Sequence, residues 1–295
     1  MPPKSDDPLR FVTTSTVAVV AGKGGVGKTT VTAVLARAAV RRGLRVIVVE
    51  LDGKVTLDGL LPDVEILHLS GTQALAEYLG SHGWGRVSNR LARSGVIDVI
   101  ASASPGLDDL VLLGRVKQLE RSGSYDLVVV DGPAAGHSLS MLRSADGLGA
   151  IARSGPIKAQ ADEVTAMLTD PARCQVVLVT LPETTPVNEA VETAYSLEED
   201  IGVHLGPVVV NAVDDGPDLD LDAPGLDRVA PEGSPMRRAA DFRNARRRLQ
   251  RTERERLGSE LALAQIVLPA VAGALDAAAI DALAATLDPV SEDTP

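Results

Sequence analysis

Cysteine is almost absent from this chain, with Cys174 alone among 295 residues. One thiol excludes an internal disulfide, a cysteine zinc site and any metalloid site built from several thiolates of a single chain. Aromatic residues are scarce too, at 2%. A core must then be assembled from Val, Leu, Ile and Ala, which suits a parallel sheet covered by helices. Lysine is the minor base, with six Lys against 23 Arg. No run approaches 18 apolar residues and "MPPKSDDPLR" has no apolar h-region, so no integral membrane segment or secretory signal is expected. The expected compartment is the reducing cytoplasm. Net positive charge is also lacking, since the formal balance is -11. A general nucleic-acid binder needs a basic face that this balance does not advertise.

What the chain does have is a series of short Val-rich runs between longer helical patterns. They are "STVAVVA", "LRVIVVEL", "VEILHLS", "GVIDVIASA", "YDLVVVDG", "CQVVLVTLP", "LGPVVVNAV" and "LAQIVLP". Strand and helix alternating in this way predict an α/β fold with a doubly wound, mostly parallel sheet. Ligands of such sheets sit at the carboxyl ends of the strands. The glycine loop after the first run, Asp52, Asp131, Pro182, Asn211 and Pro269 each follow a run and should converge on one rim.

Residues 16–286 read as one domain between tails at 1–15 and 287–295. Two segments depart from the alternation. Residues 139–173 read as a short helical insertion broken at Gly155 and Pro156, with Met141 and Met167 as core filling. Residues 214–235 are acidic and rich in Pro and Gly, and read as a mobile loop. The stretch "MRRAADFRNARRRLQRTERERL" is the one basic concentration. At helical spacing Phe242, Leu249 and Leu257 are expected to face the domain while the arginines face water.

"VVAGKGGVGKTT" carries the chemistry. Read as G-x-x-x-x-G-K-[ST], it runs from Gly22 through Lys23, Gly24, Gly25 and Val26 to Gly27, Lys28 and Thr29, with Thr30 next. Backbone N–H groups of such a turn point at phosphate oxygens, and the helix that follows adds its positive end. Lys28 supplies a point charge at the phosphates and the Thr29 hydroxyl can ligate Mg²⁺, so ATP and Mg²⁺ are the expected cofactors. Downstream, the buried run ending at Asp131 offers the carboxylate expected to complete the metal shell through water. "VVELDGKVTLDGLL" offers Glu50, Asp52 and Asp58 as further carboxylates.

The loop's second lysine, Lys23, resembles the signature lysine of the deviant Walker A motif in SIMIBI P-loop ATPases. The resemblance implies that Lys23 crosses a dimer interface to the partner's nucleotide. "DGPAAGHSL" resembles the D-T-A-P-T-G-H-T-L switch of the ArsA/Get3-like ATPases, with Asp131, Pro133, Gly136, His137 and Leu139 in common and Gly132 in place of Thr. "SPGLDDLVLLGRVKQL", "GPIKAQADEVTAML" and "LVTLPETTPVNEAVE" extend the likeness toward short actinobacterial ArsA-like ATPases. It implies that Asp52 positions the attacking water, that Asn211 reads adenine and that Pro269 borders the purine. Gly53 stands where many relatives have Pro.

The resemblance implies an ATP hydrolase cycling between open and closed dimers, as a homodimer or a heterodimer with a paralogous ATPase, and acting on an unknown protein client. No zinc is expected, because the targeting members' CxxC pair is missing. Arsenite handling does not carry over, since Cys174 stands alone. Two other readings stay open. One is a ParA/MinD-type positioning ATPase, which would need a basic or membrane-binding face. The other is a nucleotide-gated scaffold with little turnover.

Overall fold

The computed structural model describes residues 7, 9–51, 55–71, 74, 106–151, 154–224 and 226–288. In chain order the elements are α1 (Phe11–Thr14), β1 (Val17–Gly22), α2 (Lys28–Arg41), β2 (Val46–Leu51), β3 (Glu65–Leu69), α3 (Leu107–Arg121) and β4 (Leu127–Ala134). There follow α4 (Ala135–Ile151), α5 (Pro156–Leu168), β5 (Cys174–Thr180), α6 (Thr184–Tyr195), a π turn (Ser196–Ile201) and β6 (Val208–Val213). The chain continues through α7 (Leu226–Val229), α8 (Pro235–Glu260), β7 (Gln265–Pro269) and α9 (Ala277–Ala285). The run "GVIDVIASA" lies outside the described residues.

The strands form one seven-stranded sheet in the order β3-β2-β4-β1-β5-β6-β7, and every pairing is parallel. The doubly wound α/β reading of the sequence therefore holds. Every residue of β1 and β2 is buried, as strands covered on both faces must be. Val17, Val19 and Ala21 point into one core with α3, α4, α5 and α6. Ala18 and Val20 point into the other, with α1, α2 and α9. That alternation is the period of two expected of a strand. The order reverses beside β1, and the glycine loop leaves its carboxyl end there, where α/β sheets hold ligands.

Met141 and Met167 are fully buried, on α4 and α5. Pro156 opens α5, with Gly155 before it at φ 96°. Lys117 of α3 is buried and donates to Gln160 at 2.8 Å and to Glu163 at 2.6 Å, which fastens α5 to α3. Cys174, at the head of β5, is buried, and desolvation pushes its thiol up to about 12.

The arginine-rich helix corrects one expectation. Leu257 is buried, but Phe242 is 70% exposed and Leu249 is 43% exposed. Polar side chains occupy the inward face in their place. Asn244 exchanges hydrogen bonds with the backbone of Leu219, Gln250 accepts from the amide of Asp214, and Glu253 accepts from Thr184. Arg243 grips Asp214 through two bonds of 2.8 Å, and holds that carboxyl below its ordinary range. Arg247 pairs with Asp218. The start of the acidic stretch thus lies along α8, and the helix turns its polar side inward to meet it. Ser234 caps the helix by accepting from the Arg237 amide, with Pro235 in its first turn.

Candidate functional site

Val20 of β1 is in register with Asp131 of β4, and Asp131 with Glu50 of β2. The chain beyond β1 turns through Lys23, Gly24 and Gly25, all exposed, before Val26 is buried and α2 begins at Lys28. Gly25 has φ 86° with open space around it, so a side chain there would be strained and would narrow the approach to the loop. Gly27, at φ 89°, has the opposite surroundings: a Cβ there would run into the Asn211 amide.

Two threonines one turn apart on α2 converge on a single carboxylate. Thr29 Oγ1 donates to Asp131 Oδ2 at 2.9 Å, and Thr32 Oγ1 donates to Asp131 Oδ1 at 3.0 Å. Asp131 is 6% exposed, so this charge is held in place by hydroxyl donors rather than by bulk water. A hydroxyl and a carboxylate at the mouth of a glycine loop are hard oxygen ligands. They fit a small divalent cation that keeps several waters and takes the rest of its shell from phosphate. Thr32 was not among the sequence candidates. Its signal was the i, i+3 spacing from Thr29, which puts both hydroxyls on one helix face.

Lys28 Nζ donates to the Lys23 carbonyl at 3.1 Å, so its ammonium is folded over the loop. Lys23 turns away from it. Its Nζ lies 3.1 Å from Glu189 Oε1 on α6, with the lysine side chain half exposed.

Asn211 sits inside β6 rather than after it. Its Nδ2 donates to the Val26 carbonyl at 2.9 Å, tying the strand to the glycine loop. The next residue, Ala212, has φ 57°, and the ladder between β6 and β7 shifts register there before Val213 meets Pro269. Pro269 ends β7, and Ala270 donates back to the Val213 carbonyl at 2.9 Å. Asn211 and Pro269 therefore lie toward the same end of the parallel sheet as the glycine loop, although Asn211 and Asp131 fall inside β6 and β4 and not after them as expected from the sequence.

Asp52, Gly53 and Lys54 lie outside the described residues. The structure does describe what brackets them. Glu50 is buried, with Oε1 accepting from the Thr56 amide at 3.1 Å and Oε2 lying 3.0 Å from His68 Nδ1. His68 Nε2 lies 3.3 Å from Asp58 Oδ1. His68 stands 10 and 18 positions from these two carboxylates, a spacing that forms no metal-ligand motif in the sequence. His137 is exposed, with Nε2 3.7 Å from Asp109 Oδ1 on α3. Among the described residues no group of three or more His, Cys, Asp or Glu is arranged to hold a metal, and no helix is long and apolar enough to cross a membrane.

A glycine loop between a buried strand and a helix N-terminus, with a strand carboxylate bonded to the loop threonine, defines a P-loop nucleotide-binding protein. More narrowly, the chain belongs to the CobQ/CobB/MinD/ParA nucleotide binding domain family, which matches residues 17–236. Over 218 residues it is 29% identical to the ATPase BagA of Mycobacterium tuberculosis, covering 65% of this chain and 64% of that protein. Over 199 residues it is 30% identical to an arsenical pump-driving ATPase of Escherichia coli, covering 64% of this chain and 33% of that protein. The match thus spans less than two thirds of the mycobacterial relative and a third of the pump ATPase. Both agree with the ArsA-like resemblance carried by Lys23, Lys28 and the segment from Asp131 to Leu139.

Proposed function

We propose that this chain is a Mg²⁺-dependent ATP hydrolase that associates through bound nucleotide and passes the resulting change of shape to a protein partner. The observation that carries the reading is the Thr29 to Asp131 bond at the root of the glycine loop. It puts a hydroxyl and a carboxylate where P-loop ATPases need them, in the described fold of that family. Lys28 would hold the phosphates with the amides of Gly22 to Thr30. Thr29 would ligate Mg²⁺, with Asp131 behind it through water. The cation, when bound, neutralises charge on the phosphates. Asp52 would orient the attacking water, and Asn211 and Pro269 would border the adenine.

Lys23 would act across a two-chain interface, delivering positive charge to the partner's nucleotide. A charge supplied in that way is worth about 10³ to 10⁵ in rate. The ATPase and pump names of the relatives support hydrolysis, and the partner is a second copy or a paralogous ATPase. A cytoplasmic setting fits a buried lone thiol. The segment from α4 to α5 follows Asp131 directly, so it is the natural output: loss of the γ-phosphate moves the switch and the helix attached to it.

Phosphate release by the full chain, in single turnover with Mg·ATP, tests the reading. Hydrolysis that disappears with EDTA, and nucleotide binding that disappears in Lys28→Ala, are the expected results. Tight ATP binding with no phosphate released would instead make the chain a nucleotide-gated scaffold. A dimer that persists without nucleotide yet dissociates with chelator would remove nucleotide as the agent of association.

A further inference from the structure

α8 is a basic helix on an acidic chain. It carries nine arginines against four carboxylates, while the whole chain stands at -11. Two of its inward arginines are already satisfied. Arg243 and Arg247 are paired with Asp214 and Asp218 of the acidic stretch. The outward side is different. Phe242 and Leu249 stand two turns apart on one side, at 70% and 43% exposure, with Ala245 between them, also exposed. Arg238 and Arg246 neighbour Phe242 at i-4 and i+4, and Arg248 adjoins Ala245 at i+3; all three are exposed, although Arg246 also lies 3.3 Å from the half-exposed Glu183 carboxylate. From Pro235 to Thr252 the only carboxylate is Asp241.

An exposed Phe is costly here in a specific sense. The chain has two phenylalanines, and the other, Phe11, is 6% exposed. Burying such a ring is stabilising, and this one leaves that gain to another molecule. Aromatic and arginine side chains set on a rigid element are the usual anchors of protein interfaces.

We infer that the outer face of α8 docks an acidic amphipathic helix of a partner protein. Its apolar residues would cover Phe242, Ala245 and Leu249, and its carboxylates would meet Arg238, Arg246 and Arg248. Charge complementarity selects this occupant, and the chain itself shows the chemistry: on the inward flank, aspartates of the acidic stretch already meet arginines of the same helix, one of them through a two-bond grip. Nucleic acid fits less well. Arg243 and Arg247 are taken by aspartates, Asp241 stands within the outer face, and Leu249 offers a phosphate backbone nothing. A single ring is no stacking platform. The inference does not depend on nucleotide turnover.

The test uses the full chain and a displayed library of random peptides about 20 residues long, enough for the five turns that face Arg238 to Leu249 and its flanks. Peptides are selected on the parent chain and counter-selected on Phe242→Ser. Enrichment of sequences with Leu or Phe at i, i+3 or i+4 and i+7, interleaved with Asp and Glu, is expected. The best peptide, followed by fluorescence anisotropy, should bind at least about fivefold more weakly to Phe242→Ser and to Leu249→Ser. Binding to Arg246→Glu should be weaker and less sensitive to salt. Because both apolar residues are exposed, both variants should keep the parent's far-UV circular dichroism, and agreement between them guards against one misfolding. Enrichment of basic or featureless peptides, or none, would overturn the inference. So would tighter binding of a DNA duplex than of the acidic peptide. Self-association lost in Phe242→Ser would assign the face to a second copy instead.

Discussion

Glu189→Gln separates the two places Lys23 can be. In the single chain Lys23 Nζ lies 3.1 Å from Glu189, and the proposed function needs the same ammonium at a partner's nucleotide. The lysine cannot do both, so association must break the pair. With the lysine half exposed, the pair is worth about 0.2–1 kcal/mol after solvent screening. A two-fold dimer breaks two such pairs, about 0.4–2 kcal/mol in all, which is roughly a two- to thirtyfold change in association constant. Sedimentation velocity over a concentration series, with Mg²⁺ and a non-hydrolysable ATP analogue, measures it. Glu189→Gln should associate more tightly than the parent by a factor in that range, and the gap should shrink as salt is raised. The same substitution made on Lys23→Ala should change nothing, because the pair is already gone. Weaker association in Glu189→Gln, or an equal gain on the Lys23→Ala background, would refute the exchange of partners.

Three further outcomes are expected. Thr32→Val removes a donor from a buried carboxylate and should lower stability by about 1–3 kcal/mol in thermal unfolding without nucleotide, whereas an unchanged melting temperature would mean that the hydroxyl contributes nothing to Asp131. The hydrogen bond from Lys117 holds the Glu163 carboxyl below its ordinary value of 4.5, so its contribution is present above that value and is lost as pH falls through the lowered one. Hydrogen exchange in α5 should therefore quicken in that acid range in the parent and show no such step in Glu163→Gln. Hydrogen exchange compared between ADP and the ATP analogue should differ most, apart from the immediate surroundings of the nucleotide, in residues 139–173; equal protection in both states would remove that segment as the output.

The parts of the site that were legible in sequence are those written contiguously. A Val-rich run, a glycine loop and a helix from Lys28 to Arg41 specify their own geometry, because glycine placement and helix start are local. Asp131 was legible because a fully apolar strand leads up to it. What escaped were pairings between distant positions. Thr32 meets Asp131 from 99 residues away, and Lys23 of the glycine loop meets Glu189 on α6. The face of α8 was misread because periodicity assumes that apolar residues turn inward. Here Asn244, Gln250 and Glu253 find hydrogen-bond partners inward, on Leu219, Asp214 and Thr184, which offset the cost of their burial, while Phe242 and Leu249 stay exposed. Nothing within the helix announces that the acidic stretch will lie against it.

The burial of Cys174 has a consequence for reactivity. With its thiol pushed up to about 12, only on the order of one molecule in ten thousand carries the thiolate at pH 8. No other cysteine exists in the chain. Toward maleimides, iodoacetamide or peroxide the native protein should therefore behave as thiol-free. A cysteine placed at an exposed position such as Phe242 or Ala245 would be the sole site of attachment for a spin label or fluorophore, with the native β5 left untouched. Distances between two such labels, one on each chain, would then report the association geometry directly.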